Sequence, residues 1–387
     1  MEKTRNNLDT RKKTITFLFM YFYPEAPTIR YVFEPIINSY IEKGYHINII
    51  TPNPLRDITR DEIAKYNHSH YERFNEHIDV YRVKCFSYKK YSKFKLALRY
   101  WSVSRRCTRK LKKITTDEVF LQTSPPIFYA YWGSKIGKKK GAKVIYNVQD
   151  LFPDNMFKPS DFMYKILNRY QKKALENSDE IITISKDMKR TLENKGDFGN
   201  KIRIIPNGPT YKISEYDVGK LDEIRKRYNM GSDTYNVVYA GNIGYLQDVD
   251  LMINASKLID EPNIKFIIIG SGSNRKRIIN RIKDENLTNV HYFPPASMEE
   301  SPYIYKLADA NVISLLPGVI KGACPLKTAM IIQAGQQIIA AIDEDSHYAK
   351  DLKQDYGAVI IPKQNAKLFA HEVKKLAEKK FEKYRQV

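Results

Sequence analysis

The sequence predicts two doubly wound α/β domains in tandem. Three observations predict it. Short apolar runs rich in Ile, Val and Phe alternate with helix-like stretches along the chain. A turn-dense break, Pro206-Asn207-Gly208-Pro209, interrupts the alternation near its middle. The alternation then restarts. Near-continuous apolar strands separated by helices indicate a parallel sheet covered on both faces.

The expected strands of the first half are Thr14–Phe22, His46–Thr51, Val80–Val83, Glu118–Gln122, Lys143–Val148, Glu180–Ser185 and Ile202–Ile205. Tyr31–Lys43 and Phe162–Glu176 are helix-like segments between them. A charged stretch, Tyr211–Asp233, follows the break. The second set of strands is Tyr235–Ala240, Ile264–Ile269, Val290–Phe293, Asn311–Leu315, Gln337–Ile342 and Ala358–Ile361. The restart is one of architecture, without a sequence repeat. Ligands of such folds bind beyond the carboxyl ends of the strands, so a site is expected in a cleft between two facing domains.

Composition is consistent with this reading. The chain has 387 residues, and domains run to ~100–200 residues each. Hydrophobic residues make up 42% and charged residues 28%, which excludes disorder. The formal net charge of +21 points to a polyanionic partner: nucleic acid, anionic lipid or a phosphate-rich substrate. Cys85, Cys107 and Cys324 are odd in number and lack a CxxC pair, so neither a disulfide framework nor a zinc site is expected. No apolar run reaches the ~18 residues of a transmembrane helix. Lys12 and Lys13 before Ile15–Phe22 resemble a short signal peptide, but Tyr23-Pro24-Glu25 stands where small residues would mark cleavage. The segment is read as a buried first strand and the protein as cytoplasmic, free or peripherally attached.

Five strand ends carry candidate chemistry. The first strand leads through Tyr23-Pro24-Glu25-Ala26-Pro27-Thr28-Ile29-Arg30 into a helix, whose N-terminal N–H groups can face an acceptor or a phosphate; an ordinary strand-to-helix turn is the plainer reading. The fifth ends in Asn147-Val148-Gln149-Asp150-Leu151-Phe152-Pro153-Asp154. Two carboxylates and two amides past a strand end are placed for catalysis or sugar binding, and either carboxylate could instead cap the following helix. In the second half, Ala240-Gly241-Asn242-Ile243-Gly244 and Gly270-Ser271-Gly272-Ser273 are glycine turns at consecutive strand ends, the second followed by Arg275, Lys276 and Arg277. Glycines let a backbone approach a ligand oxygen, and a glycine turn ahead of a helix makes an anion cradle. This pattern suits a diphosphate ligand; two tight turns and a solvated basic helix are the alternative. Finally, Gly318–Thr328 follows another strand. Pro325 suits the first turn of a helix, and Lys327 near a helix start is disfavoured by the helix dipole unless an anion is present.

From Val80 to Thr116 there is no Asp or Glu, while Lys84, Lys89, Lys90, Lys93, Lys95, Arg82, Arg99, Arg105, Arg109 and others alternate with Phe86, Tyr88, Phe94 and Trp101. Basic and aromatic residues on one amphipathic segment suit an anionic membrane surface. Nucleic acid uses the same residue types, though no RRM, HTH or KH module is present, and a solvated face is the third reading.

The order of the segments YFYPEAPTIR, NVQDLFPDN, SDEIITISKDMKRTLENKG, KIRIIPNG, VVYAGNIGYLQDVDLMINASKLI, FIIIGSGSNRKRI, VHYFPPASMEE, ADANVISLLPGVIKGACPLK and QAGQQIIAAID resembles the family-4 retaining glycosyltransferases of the GT-B fold, in the branch that builds bacterial surface polysaccharides. The resemblance spans Thr14 to about Pro362. It implies a GT-B fold of two Rossmann-like domains: an acceptor-binding domain at 14–208 and a nucleotide-sugar-binding domain at 209–371, with a C-terminal helix from about 372 to 387 returning to the first. It further implies transfer of a sugar, with retention, from a nucleotide diphosphate sugar to a lipid-linked oligosaccharide at the inner face of the membrane. No metal or other cofactor is required, there is no DxD motif, and no nucleic-acid partner is expected. Asp150 and Gln149 are then candidates for catalysis. Gly241, Asn242, Gly244, Gly272, Arg275 and Lys327 are candidates for the donor phosphates, and Glu25 and Arg30 for the acceptor side. The family's Glu-x7-Glu pair falls on Gly322 and Met330, and the His that often precedes Asp in the first domain is Gln149. The rival expectation is a non-catalytic paralogue that supports a partner glycosyltransferase.

Overall fold

The structure is a computed structural model. It describes residues 12–385 apart from 26, 56–57, 69, 89–91, 123–125 and 212. The chain divides into two compact units, Met1–Pro206 and Asn207–Val387, at the turn-dense break.

In the first unit the chain runs β1 (Thr14–Phe19), α1 (Pro27–Glu42), β2 (His46–Pro52), α2 (Arg60–His68), β3 (Tyr71–Arg73) and β4 (Ile78–Val83). It continues through α3 (Lys93–Lys112), β5 (Glu118–Gln122), α4 (Ile127–Lys139), β6 (Lys143–Val148), α5 (Phe162–Asn177), β7 (Glu180–Thr183), α6 (Lys186–Glu193) and β8 (Ile202–Ile204). The eight strands form one sheet in the order β3-β4-β2-β1-β5-β6-β7-β8. All neighbours are parallel except β3, which pairs antiparallel with β4 through Glu72 opposite Val80. Along β1, Ile15, Phe17 and Phe19 enter a core with Phe33 and Ile37 of α1. The intervening Leu18 is also buried, and Tyr129 of α4 donates from its hydroxyl to the Ile50 carbonyl of β2 at 3.2 Å. Alternate residues thus serve opposite faces, which is why the strands read as continuous apolar runs.

The second unit runs α7 (Val218–Arg227), β9 (Tyr235–Asn242), α8 (Asp250–Ser256), β10 (Ile264–Ser271), α9 (Arg275–Asp284), β11 (Val290–Phe293), α10 (Ser301–Leu307), β12 (Ala310–Ser314), α11 (Thr328–Ala334), β13 (Gln337–Ala341), α12 (His347–Tyr356), β14 (Val359–Ile361) and α13 (Ala366–Arg385). Its six strands are all parallel, in the order β11-β10-β9-β12-β13-β14. Tyr235, Val237 and Tyr239 of β9 lie in one apolar cluster, and Val238 and Ala240 in the other. Alternate residues of β9 thus face opposite sides of the sheet, and both sides are buried.

One strand was missed and two expectations are corrected here. β3 was not legible, since Tyr-Glu-Arg lacks an apolar run. Pro325 lies before α11 rather than in its first turn, accepting at its carbonyl from the Thr328 hydroxyl at 2.6 Å. The terminal helix begins at Ala366 and buries Phe369, Ala370, Val373 and Ala377 in the second unit's own core. Lys374 and Lys380 tie it further to Glu261 and Asp309 of that unit, at 3.0 and 2.7 Å.

Candidate functional site

The second unit winds outward from β9 through β10 to β11, then crosses back to β12 on the other side of β9. β9 and β12 therefore flank the point where the winding reverses, the place where open α/β sheets leave a crevice at their carboxyl ends. Both glycine turns and Lys327 meet there.

β9 and β10 run side by side to their last residues, with Gly270 opposite Gly241 and Ser271 opposite Asn242. The turns then lock together: Ile243 N–H donates to the Ser271 carbonyl at 2.8 Å, and Asn274 donates to the carbonyls of Ile243 and Gly244 at 2.9 and 3.0 Å. A Cβ on Gly270 would stand 1.9 Å from the Gly241 oxygen, and one on Gly272 would stand 2.3 Å from that of Ile243. Both glycines are demanded by one turn pressing on the other, not by a ligand. Gly241 differs. At φ 144° a Cβ there would have only the Lys327 Cδ nearby, at 3.8 Å. That is the open position of the pair. Gln247 braces the first turn, accepting from Gly244 N–H at 3.1 Å and the Asn242 amide at 3.3 Å.

Lys327 crosses the reversal point. Its ammonium donates to the carbonyls of Val312 in β12, at 3.0 Å, and Ala240 in β9, at 3.4 Å. It also sits 3.6 Å from the centroid of the Tyr239 ring, a cation–π contact. The residue as a whole is half-buried, and desolvation of its charged end pulls the ammonium down to about 7. Among the described residues no carboxylate pairs with it. Arg275, the first residue of α9, is exposed and donates its N–H to the Gly272 carbonyl at 3.1 Å. Its neighbours Arg277 and Arg281 are spent on Asp250. Tyr239, Gln247 and Asn274 were not legible as site residues. A tyrosine inside a strand reads as core, and the two amides act only through the contact of one turn with the other.

Met330, at one position of the expected glutamate pair, is 6% exposed and belongs to the core of the second unit. Its sulfur accepts from the Thr210 hydroxyl at 3.2 Å. Gly322 follows a short 3-10 turn, Val319–Lys321.

In the first unit, Gln149 and Asp150 lie just past the end of β6. The Gln149 amide donates to the Asn147 side-chain oxygen at 3.2 Å, and Asn147 is itself 1% exposed, so a buried amide aims an accessible one. Asp150 keeps solvent contact as a residue, and desolvation of its carboxyl by the protein packed around the strand end pushes it up to about 6. Asp154 is held in a fixed cluster instead: it pairs with Lys195 at 2.7 Å and accepts from the Tyr164 hydroxyl at 3.0 Å. Glu25 is buried at 3% and accepts from Leu55 N–H at 2.5 Å, which ties the loop after β1 to the loop after β2. Arg82 donates to the Tyr23 carbonyl at 2.8 Å and pairs with Glu72. The side chain of Arg30 lies outside the described residues, as do Lys89 and Lys90 of the basic segment and the side chain of Lys93.

Two parallel α/β units, the second with interlocked glycine turns and a lysine at its winding reversal, have the architecture of the GT-B class. The chain belongs to the glycosyltransferases: a Glycosyltransferase Family 4 model matches residues 33–209, and a Glycosyl transferases group 1 model matches residues 221–387. Over 220 residues it is 24% identical to a relative in Escherichia coli (strain K12), “Putative colanic acid biosynthesis glycosyl transferase WcaI”, covering 54% of each chain. Over 241 residues it is 20% identical to “Probable glycosyltransferase WbjE” of Pseudomonas aeruginosa, covering 61% of this chain and 58% of that one. The chain thus matches over half, and not the whole, of these relatives' lengths. In fold it matches the crystal structure of Anabaena Alr3699/HepE in complex with UDP, with a TM-score of 0.66 at 11% identity over 95% of this chain and 90% of that one.

Proposed function

We propose that the protein transfers a sugar from a nucleotide diphosphate sugar to a lipid-linked glycan during bacterial surface-polysaccharide synthesis, with retention of configuration. The relatives named for colanic acid synthesis and glycosyl transfer support the pathway class, and the fold neighbour bound to UDP supports the donor class. The observation that carries the reading is the Lys327 ammonium. It is buried at the reversal point without a carboxylate partner among the described residues, beside the open position at Gly241.

In this reading a diphosphate occupies the space over Gly241. Lys327 and Arg275 neutralise it, and the open backbone at Gly241 lets its oxygens come close. Catalysis then rests on stabilising the departing diphosphate, whose oxygen helps take the acceptor proton. Asp150 and Gln149 bind sugar or acceptor hydroxyls at the end of β6, and no metal takes part. The protein works at the cytoplasmic face of the membrane, attached peripherally through the basic segment Val80–Thr116. Among the described residues no helix is long and apolar enough to cross a membrane.

Isothermal calorimetry with nucleoside diphosphates tests this. Lys327→Ala should weaken binding at least tenfold, a loss of ~1.4 kcal/mol or more. Equal affinity in the variant and wild type would take Lys327 out of the site. The absence of glutamate at Gly322 and Met330 favours a second reading, a non-catalytic partner of another glycosyltransferase. No binding of any nucleotide diphosphate sugar across a panel would favour it.

A further inference from the structure

α3 and α4 pack side by side in the first unit, and the seam between them opens into a groove of about 710 Å³. α3 contributes Arg105, Thr108, Arg109 and Lys112, spaced i, i+3, i+4 and i+7, so they share one helical face. α4 contributes Trp132, Lys135, Ile136 and Lys139 with the same spacing, and Lys140 follows at its end. All six cations are exposed. Among the described residues, none is paired with a carboxylate. Neither helix contains an Asp or Glu.

Complementing the helix dipole accounts for cations in a last turn. It accounts for Lys112 and Lys139, but not for Arg105 or Lys135, which lie further back on their helices. Nor is the whole basic segment surplus charge. Arg82 and Arg99 are buried and bind backbone carbonyls, and Arg106 donates to the Lys84 carbonyl at 2.8 Å. Once these are removed, Arg105, Arg109 and Lys112 of α3 gather on the seam, while Lys84, Lys95 and Lys113 are exposed away from it. The seam's face of α3 continues toward its N-terminus through Trp101, 51% exposed, and Phe94, 78% exposed. Arg105 lies 5.5 Å from the Trp101 ring.

We propose that this groove docks the phosphate head groups of an anionic lipid bilayer, with Phe94 and Trp101 reaching the interfacial layer. The proposal rests on the membrane reading above and adds α4 to it. A small phosphate ligand calls for buried donors that converge on one point. Here the donors are exposed and spread along two helices, beside aromatic rings in the open. That arrangement matches a surface of many head groups rather than one anion.

Vesicle sedimentation of the full chain tests it, comparing phosphatidylglycerol–phosphatidylcholine vesicles with phosphatidylcholine alone. The wild type should bind only the anionic vesicles, and more weakly as salt rises. The α4 variant Lys135→Glu, Lys139→Glu, Lys140→Glu should bind at least about tenfold more weakly, as should the α3 variant Arg105→Glu, Arg109→Glu, since each cation near such a surface contributes about a factor of five. Glutamine versions of both, which cannot repel lipid, should show the same direction at smaller size. An α4 variant that sediments like the wild type overturns the groove and leaves the membrane reading standing. A wild type that ignores anionic vesicles overturns both. Inorganic pyrophosphate or a single-stranded oligonucleotide that binds the wild type, is lost in both variants and outcompetes vesicles would reassign the groove and overturn the proposal.

Discussion

The strand-end loops of the two units use opposite means. In the first unit the loops carry charge that holds the fold: Glu25 fastens Leu55, Asp154 fastens Lys195 and Tyr164, and Arg82 of β4 fastens the loop at Tyr23. In the second unit the loops after β9 and β10 carry glycines and neutral amides in place of charge, and the open space at Gly241 is bordered by the buried Lys327 ammonium. A charged residue at a strand end is thus weak evidence of a site until its partner is known. A glycine turn gains force when a second glycine turn lies against it.

The sharpest way to break this comparison is to put a side chain back. Gly270→Val should destabilise the second unit by about 4 kcal/mol or more, because its Cβ would enter the Gly241 carbonyl and its φ of 155° is strained for valine. Denaturant unfolding would show it. A loss under about 1 kcal/mol would mean that the turns are not interlocked.

Next in size is Met330→Glu, which would place a carboxylate in the second unit's core and cost about 3 kcal/mol at neutral pH. The penalty should shrink on acidification, as the carboxyl becomes neutral. An unchanged melting temperature together with tighter nucleotide binding would show that the position faces the donor after all.

In the first unit, Lys195→Ala should cost about 2 kcal/mol, since it leaves Asp154 without its ion pair in a half-buried cluster. Nucleotide affinity should stay within twofold. A change in affinity matching that of Lys327→Ala would erase the distinction between structural charge and site charge.

The smallest effect is a proton. In the free protein the Lys327 ammonium is held down at about 7, and an anion beside it favours the charged form. Diphosphate binding should therefore take up a proton above pH 7, and affinity should fall by up to about tenfold per pH unit as pH rises. The same depression acts on folding with the opposite sense: the unfolded lysine holds its proton up to its ordinary value, so this group's contribution to stability grows as pH rises from about 7 toward that value. Calorimetry in buffers of different ionisation enthalpy would detect the uptake. Its absence in the wild type would mean that the ammonium is already charged before the ligand arrives.

The sheets were legible because their strands are buried on both faces and so lose the alternation that a half-exposed strand would show. β5, β6 and β11 begin and end where the apolar runs do. The order of strands was not legible, and with it the reversal point that brings Lys327 against Ala240, 87 residues earlier. The structural use of Glu25 and Asp154 was hidden for the same reason, since Leu55 and Lys195 lie 30 and 41 residues away. The glycine turns were visible in the sequence, but their purpose rests on the pairing of Gly270 with Gly241, which only the register of β9 with β10 supplies. The uninterrupted run of cations between Val80 and Thr116 likewise concealed that Arg82 and Arg99 are interior residues.

Both sheets taper. β9 and β10 have eight residues each and β2 has seven, whereas the strands at the four borders, β3, β8, β11 and β14, have three or four. A sheet border is a row of hydrogen-bonding groups on which another chain can add a strand, and the hazard grows with the length of the row. A border of three residues offers too few such groups to hold a newcomer, and at β3 it also presents Glu72 and Arg73. A basic protein that gathers at high density on a surface would need such closed borders to stay a population of separate molecules rather than the start of a fibril.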